Sequence, residues 1–123
     1  MIRGARRGVV VVVILIAGLS ACGSKKAPPT EGSPDLGKEA IPKYGCGSCH
    51  TIPGIKGANA LVGPPLTKFS KRAFIAGQLA NTEQNLARWI RDPQGVEPGT
   101  AMPNLGVTAE DARNIAAYLE TLQ

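Results

Sequence analysis

The chain has 123 residues, a length that predicts one domain, and a formal net charge of +5. Three of its 14 basic residues, Arg3, Arg6 and Arg7, lie in the first 21 positions, where no acidic residue occurs. Without that segment, 11 basic residues stand against 9 acidic ones, a balance of +2. This weak charge, with no basic stripe interleaved with aromatic residues, excludes a nucleic-acid-binding protein.

The N-terminus has the layout of a secretory signal peptide, in which a basic start precedes an apolar run and then small residues. The apolar run, Val9–Leu19, is shorter than the roughly 20 residues that a membrane-spanning helix needs. Leu19–Cys22 resembles the lipobox of bacterial lipoproteins, in which the signal is removed before a cysteine that then carries lipid. We therefore expect a signal peptide over residues 1–21 and a lipid anchor on Cys22. An ordinary signal with a chance cysteine, or an uncleaved anchor, is the alternative.

Residues 22–34 are rich in Pro, Ser, Gly and charged residues and have no apolar periodicity. This composition predicts a flexible tether between the lipid and a folded domain that spans residues 35–123. A domain of this size buries only a modest core, and the whole chain has few aromatic residues. We therefore expect something other than side chains to fill part of its interior.

The first half of the domain predicts two helices. One begins with Asp35 as its N-cap and runs toward Cys46, and Pro42 should kink or shorten it because proline lacks a backbone donor. The other is a short helix that begins at Thr67, its cap, and ends at Gly77.

The second half predicts two longer helices. The first begins at Thr82 and ends before Pro93, with Leu86, Trp89 and Ile90 on one face. The last has a capping-box pattern, Thr108-x-x-Asp111. Its apolar positions follow helical spacing: Ala112, Ile115, Ala116, Leu119 and Leu122. Since no stretch shows convincing strand alternation, the predicted fold class is all-α, with about four short helices.

Two of the three cysteines and the single histidine form the cluster Cys46-x-x-Cys49-His50. A structural zinc site would need a second pair of ligands, and a thioredoxin-type dithiol would need flanking strands. A disulfide over this short loop is the alternative, but it leaves His50 without a role. Haem attachment uses all three residues, because the thiols form thioethers with the vinyl groups and the histidine becomes the proximal iron ligand. We therefore expect one covalently bound haem c.

From about Leu36 to its end, the chain resembles class I cytochromes c. Gly63–Leu66 is similar to the family's Gly-Pro-x-Leu element, which implies that the Pro64 carbonyl accepts a hydrogen bond from Nδ1 of His50. A plain turn is the alternative for this segment.

The same resemblance also implies which residues lie on the side of the haem opposite His50. Met102 lies in a loop similar to the family's Pro-Gly-Thr-x-Met loop, which implies that it is the second axial ligand and that Thr100 binds a propionate. A core-filling methionine is the alternative. The resemblance also implies that Trp89 packs over the haem on the Met102 side.

Helix crossing is implied in the same way. Gly37 and Ile41 resemble the Gly-x-x-x-aromatic pattern of the family's first helix, with Ile41 in place of the aromatic residue. In the family, this helix crosses the last one, here at Ile115 and Tyr118.

A His/Met pair saturates the iron, which predicts a one-electron carrier rather than an enzyme and no small-molecule substrate. Trp89–Leu119 is similar to cytochrome c domains fused to, or serving, subunit II of bacterial haem–copper oxidases. The implied partners are a terminal oxidase, a quinol-oxidising complex or both, on the periplasmic side of a bacterial membrane, inner or outer. Alternatives are a peroxidase-like or gas-sensing haem protein in which Met102 dissociates, and a permanent subunit of a larger complex.

A group of basic residues is expected around the exposed haem edge: Lys43, Lys56, Lys68, Lys71 and Arg72. They could steer an acidic partner or be only a solvated face.

Overall fold

A computed structural model describes Met1 and residues 31–123. The predicted signal peptide after Met1, Cys22 and the tether up to Thr30 lie outside the described residues. Within the described part of the chain, no helix has both the length and the apolarity needed to cross a bilayer.

The described chain is mainly helical, and the predicted all-α fold class is confirmed. The helices are α1 (Pro34–Lys43), α2 (Glu83–Arg91), α3 (Pro93–Val96) and α4 (Ala109–Glu120). Two 3₁₀ turns, Cys46–Ser48 and Phe69–Lys71, and a small hairpin of β1 (Phe74–Ile75) and β2 (Leu79–Ala80) complete the regular structure.

Helix α1 begins earlier than predicted. The Ser33 hydroxyl accepts a hydrogen bond from the Leu36 N–H at 3.4 Å, so Ser33 and not Asp35 is the N-cap. Pro34 occupies the first turn, where its missing donor costs nothing, and Asp35 lies beside the positive end of the helix dipole. The helix ends at Lys43, one residue after Pro42, which agrees with the predicted shortening.

The predicted helix from Thr67 to Gly77 is wrong. The segment forms the second 3₁₀ turn and then the antiparallel hairpin, in which Ile75 pairs with Leu79. Ala76 and Gly77 have φ values of +49° and +72°, a left-handed pair that suits a hairpin turn and ends any helix. Ile75 is buried, so the hairpin packs on the core by this side chain.

Helices α2 and α4 begin where the sequence predicts. Thr82 Oγ1 accepts from the Asn85 N–H at 3.2 Å, and Thr108 Oγ1 accepts from the Asp111 N–H at 3.1 Å. Helix α4 ends at Glu120, so Leu122 lies beyond it but still packs against the core. The short helix α3 was not predicted.

The crossing of α1 and α4 is confirmed. An added Cβ on Gly37 would lie 1.9 Å from the carbonyl oxygen of Asn114, so only glycine permits this approach. Ile41, which replaces an aromatic residue, has no exposed surface, and Ile115 is buried beside the contact. Helix α2 packs on the same helix, α4. These three helices therefore form the frame on which the remaining loops are carried.

Candidate functional site

One large cavity of about 470 Å³ lies between the helices and the long loops. Native interiors leave few voids larger than a water molecule, so such a space in a small domain indicates a resident group. Its wall is mainly apolar, and it contains every predicted cofactor-binding residue within the described chain: Cys46, Cys49, His50, Pro64, Trp89, Thr100 and Met102.

The 3₁₀ turn after α1 positions the two thiols. Gly45 adopts φ +69°, which ends α1 and begins the turn. Inside the turn, the N–H groups of Cys49 and His50 both donate to the Cys46 carbonyl, at 3.2 and 3.0 Å. Neither cysteine is in a disulfide. Burial raises the pKa of the Cys46 thiol above its ordinary value, as expected in an apolar cavity.

A hydrogen bond at its Nδ1 atom restrains the His50 ring. Its Nδ1 lies 2.8 Å from the carbonyl oxygen of Pro64, the hydrogen bond that the family resemblance implies. Because a carbonyl can only accept, Nδ1 is the donor in this hydrogen bond, which leaves Nε2 as the ring nitrogen that could bind a metal.

Gly63 makes this arrangement possible. Its N–H donates to the Cys49 carbonyl at 2.7 Å, which ties the Gly63–Leu66 segment to the cysteine turn. A Cβ at this position would lie 2.5 Å from Cε1 of His50, so any larger residue would displace the imidazole.

The Met102 loop forms another part of the wall. Thr100 and Met102, two residues apart, both line the cavity. Their carbonyl oxygens accept hydrogen bonds from Nε2 of Gln94 at 2.7 and 2.8 Å. Trp89, half-buried on α2, also lines the cavity, together with Leu86 and Ile90 from the same helix.

Two residues were not predicted as parts of the site. Gln94 lies in a segment interpreted only as loop, and nothing in its local pattern signals its contacts with Thr100 and Met102. Arg72 was placed among the cations around the haem edge, but it lines the cavity, donates to the Pro65 carbonyl and lies 5.0 Å from the ring centre of Phe69. Nothing in the sequence spacing between Pro64 and Arg72 predicts that Arg72 lines the cavity.

The other cations of that group lie outside the cavity wall, and Lys43 forms an ion pair with Asp111 at 2.9 Å. In residues 31–123, no group of three or more His, Cys, Asp or Glu side chains is arranged to hold a metal ion.

Residues 34–123 match the family model described as Cytochrome c. The chain belongs to the cytochrome c family. Its helical architecture is that of a class I cytochrome c, and membership implies covalently attached haem c as the group that occupies the cavity.

Several relatives are cytochrome c oxidase subunit 2 proteins. The one from Alkalihalophilus pseudofirmus is 36% identical over 96 residues, 77% of this chain and 27% of that protein. The one from Bacillus sp. PS3 is 35% identical over 89 residues, 69% of this chain and 25% of that protein. The one from Bacillus subtilis is 31% identical over 84 residues, 67% and 24% respectively. This cytochrome c thus spans about a quarter of the length of these relatives.

The residues present fit a c-type haem. Two free thiols occupy one short turn, the next residue presents an imidazole whose Nδ1 is hydrogen-bonded, and Met102, which carries a thioether, lines the apolar cavity beside them. Soft sulfur and imidazole are ligands that haem iron takes in cytochromes.

Proposed function

We propose that this protein is a one-electron carrier in which Cys46 and Cys49 bind haem c and His50 and Met102 are the axial ligands. The observation that carries the proposal is the convergence of two thiols, one imidazole and one thioether on a single apolar cavity. Haem c bound there supplies an Fe(II)/Fe(III) couple for one-electron transfer.

Cys46 and Cys49 would attach the cofactor as thioethers. Each sulfur would hold the cofactor through one carbon–sulfur bond, so the two cysteines together would fix it covalently to this turn. The 3₁₀ turn supports this role because it keeps both sulfurs on the segment that leads directly into His50.

The two axial residues would set the redox properties. His50 shares its Nδ1 proton with the Pro64 carbonyl, which restrains the ring and makes Nε2 a better donor. Met102 offers a soft sulfur that favours ferrous iron and raises the potential. With both positions taken, no coordination position is open to oxygen or peroxide, so we propose a carrier and not an enzyme.

Other residues of the wall would orient the macrocycle. The Thr100 hydroxyl and the Arg72 guanidinium are polar groups in a mainly apolar wall, and we assign them to the haem carboxylates. Trp89 would pack against the face of the ring on the Met102 side.

The visible spectrum of the reduced holoprotein, with and without carbon monoxide, tests the ligation. We expect a low-spin ferrous spectrum that the gas leaves unchanged. Rapid adduct formation by the native protein would instead support the alternative, a haem enzyme or gas-binding protein in which Met102 dissociates. Met102→Ala should bind the gas and have a lower reduction potential, and unchanged values would refute the ligand role.

We further propose that Cys22 carries lipid and holds the domain on the periplasmic side of a bacterial membrane. The lipobox-like Leu19–Cys22 segment supports this anchor. Cys22→Ala should release the holoprotein from the membrane fraction and abolish incorporation of labelled fatty acid. Retention of both would contradict the anchor, and separation of inner from outer membranes would assign the compartment.

The partner that we propose is a terminal oxidase, with a quinol-oxidising complex as electron donor. The support is the similarity to proteins named cytochrome c oxidase subunit 2. Stopped-flow mixing of the reduced protein with purified oxidase should show oxidation within the enzyme's turnover time. Transfer much slower than from the oxidase's other donors would contradict this role, and co-purification after detergent extraction would instead indicate a permanent subunit.

A further inference from the structure

We infer that Gln94 is the positioning residue that keeps the Met102 loop in the conformation in which its thioether can reach iron. The inference rests on the proposed ligation and concerns a residue to which neither the sequence pattern nor the comparisons assign a role.

The side-chain amide of Gln94 makes hydrogen bonds through both its nitrogen and its oxygen. Its Nε2 donates to the carbonyl oxygens of Thr100 and Met102 at 2.7 and 2.8 Å. Its Oε1 accepts from the Gly99 N–H at 3.2 Å. One half-buried side chain therefore satisfies three main-chain groups of the loop, and this pattern also determines which end of the amide is nitrogen.

Gln94 is itself held in place by the start of α3. Asp92 Oδ1 accepts from the Gly95 N–H at 2.9 Å and from Nδ2 of Asn104 at 3.2 Å. Asn104 Oδ1 in turn accepts from the Gln94 N–H at 3.3 Å. Because Asn104 follows Met102 by two residues, the chain on both sides of the methionine is tied to the first turn of α3.

The loop has few other restraints. Residues 101–107 make no main-chain-to-main-chain hydrogen bond with another described residue. The Gln94 and Asn104 amides thus supply the polar contacts that locate this stretch. Thr100 and Met102 both line the cavity, and the carbonyl oxygens of both accept hydrogen bonds from Gln94. One amide therefore fixes the backbone positions from which the thioether and the Thr100 hydroxyl extend.

A restraint of this kind matters because a bond between thioether and haem iron can be broken and re-formed. A loop held close to the iron makes rebinding of the sulfur an intramolecular step with little entropy to lose. Without Gln94, the Met102 loop would have more accessible conformations, and an external ligand would compete better. Gln94 would therefore control how readily an external gas displaces the Met102 sulfur from the iron.

The test compares Gln94→Ala with Gln84→Ala in the holoprotein. Gln84 is exposed on α2 and lies outside the cavity wall, so the same substitution there is a matched control. We expect Gln94→Ala to speed carbon monoxide binding on the order of tenfold or more, since the loop loses the three hydrogen bonds that this side chain makes to it. The ferric absorption band that reports thioether ligation should weaken in parallel, and Gln84→Ala should match the wild type in both measurements.

Gln94→Glu adds a readout that a merely structural role would not produce. Its size is conserved, and the introduced carboxyl can still accept from Gly99. When ionised it cannot donate to the two carbonyls, whereas when protonated it can donate to one of them. The thioether band of Gln94→Glu should therefore strengthen as the pH falls through the pKa of the introduced group. The neighbouring carboxyls Asp92 and Glu97 are present in every variant, so the comparison with Gln94→Ala removes their contribution.

The outcomes separate this inference from the ligation on which it rests. A wild type without the thioether band, or one that binds the gas at once, would overturn Met102 ligation and the inference with it. A wild type with the band and closed to the gas, with Gln94→Ala indistinguishable from Gln84→Ala, would overturn only the role of Gln94. If Gln94→Ala does not accumulate with haem, the pH response of Gln94→Glu decides, and its absence would refute the inference.

Discussion

Tyr44 donates a hydrogen bond of 2.6 Å from its hydroxyl to Oδ2 of Asp111, which joins the residue after α1 to the first turn of α4. Lys43 donates to the same oxygen at 2.9 Å. Asp111 thus connects the end of the helix that leads into the haem-binding turn with the start of the last helix. The hydrogen bond from Tyr44 and then that from Lys43 lower the pKa of Asp111 below its ordinary value of 3.8.

This lowered pKa gives a pH dependence of known sign. A carboxyl with a lower pKa in the folded protein stabilises it at pH values above the unfolded pKa, and that contribution is lost as the pH falls through the folded one. Asp111→Asn should therefore lower the thermal midpoint at neutral pH, and its difference from the wild type should shrink below about pH 3.8. Glu110→Gln, at the preceding exposed position, is the control and should show a smaller difference. A deficit for Asp111→Asn that persists unchanged at acid pH would contradict this assignment.

The close approach of α1 to α4 predicts a large cost for Gly37→Ala. The added methyl would lie 1.9 Å from a main-chain oxygen of Asn114, which cannot rotate away, so the helices must separate. We expect a loss of about 3 kcal/mol in the free energy of unfolding, measured by denaturant titration, or failure to fold. Glu39→Ala, at an exposed position of the same helix, should change it by less than about 0.5 kcal/mol. Equal stability of the two variants would show that the crossing is looser than described.

Gly63→Ala should act on His50. The new methyl would lie 2.5 Å from the imidazole, so the ring must move and its hydrogen bond to Pro64 must lengthen. A weaker hydrogen bond makes the imidazole a poorer donor to ferric iron, so the reduction potential should rise, with a stability loss of about 1–3 kcal/mol. Gly57→Ala is the control: it strains a left-handed backbone, φ +78°, and so also lowers stability, but its methyl meets nothing within 4 Å and Gly57 is not part of the cavity wall. A potential that moves equally in both variants would argue against a specific effect on His50.

The hairpin turn predicts a stabilising substitution. Ala76 is exposed and holds φ +49°, a left-handed backbone that costs an L-residue roughly 1–2 kcal/mol. Glycine removes that strain but gains freedom in the unfolded chain, so Ala76→Gly should stabilise by about 0.5 kcal/mol. Ala73→Gly, also exposed and without positive φ, should destabilise the protein instead. Chemical denaturation of the two variants measures the contrast, and a loss of stability for Ala76→Gly would contradict it.

Much of the helical architecture could be predicted from sequence because its signals are local. Thr82 and Thr108 lie directly before amphipathic segments, and both cap their helices as expected. Gly37 indicated the crossing of the first and last helices, although the atom it approaches belongs to Asn114. The helix predicted from Thr67 to Gly77 was wrong because the strands that form there have only two residues each, too few to show an alternating pattern. Burial of Ile75 and the left-handed Ala76 decided for the hairpin, and neither has a sequence signature.

The chemistry available to this protein can be recognised from its residues alone: a cysteine–histidine cluster, a proline and a methionine in loops, and no second pair of metal-ligating residues. Such motifs are readable because covalent attachment and ligation need particular side chains at particular spacings. The three-dimensional fold was needed to show that these residues line one cavity, that Arg72 belongs to its wall, and that Gln94 donates to the carbonyls of Thr100 and Met102. Those contacts depend on how α3 and the loop fold against each other, and a side-chain amide that binds main-chain carbonyls can belong to almost any glutamine in a chain.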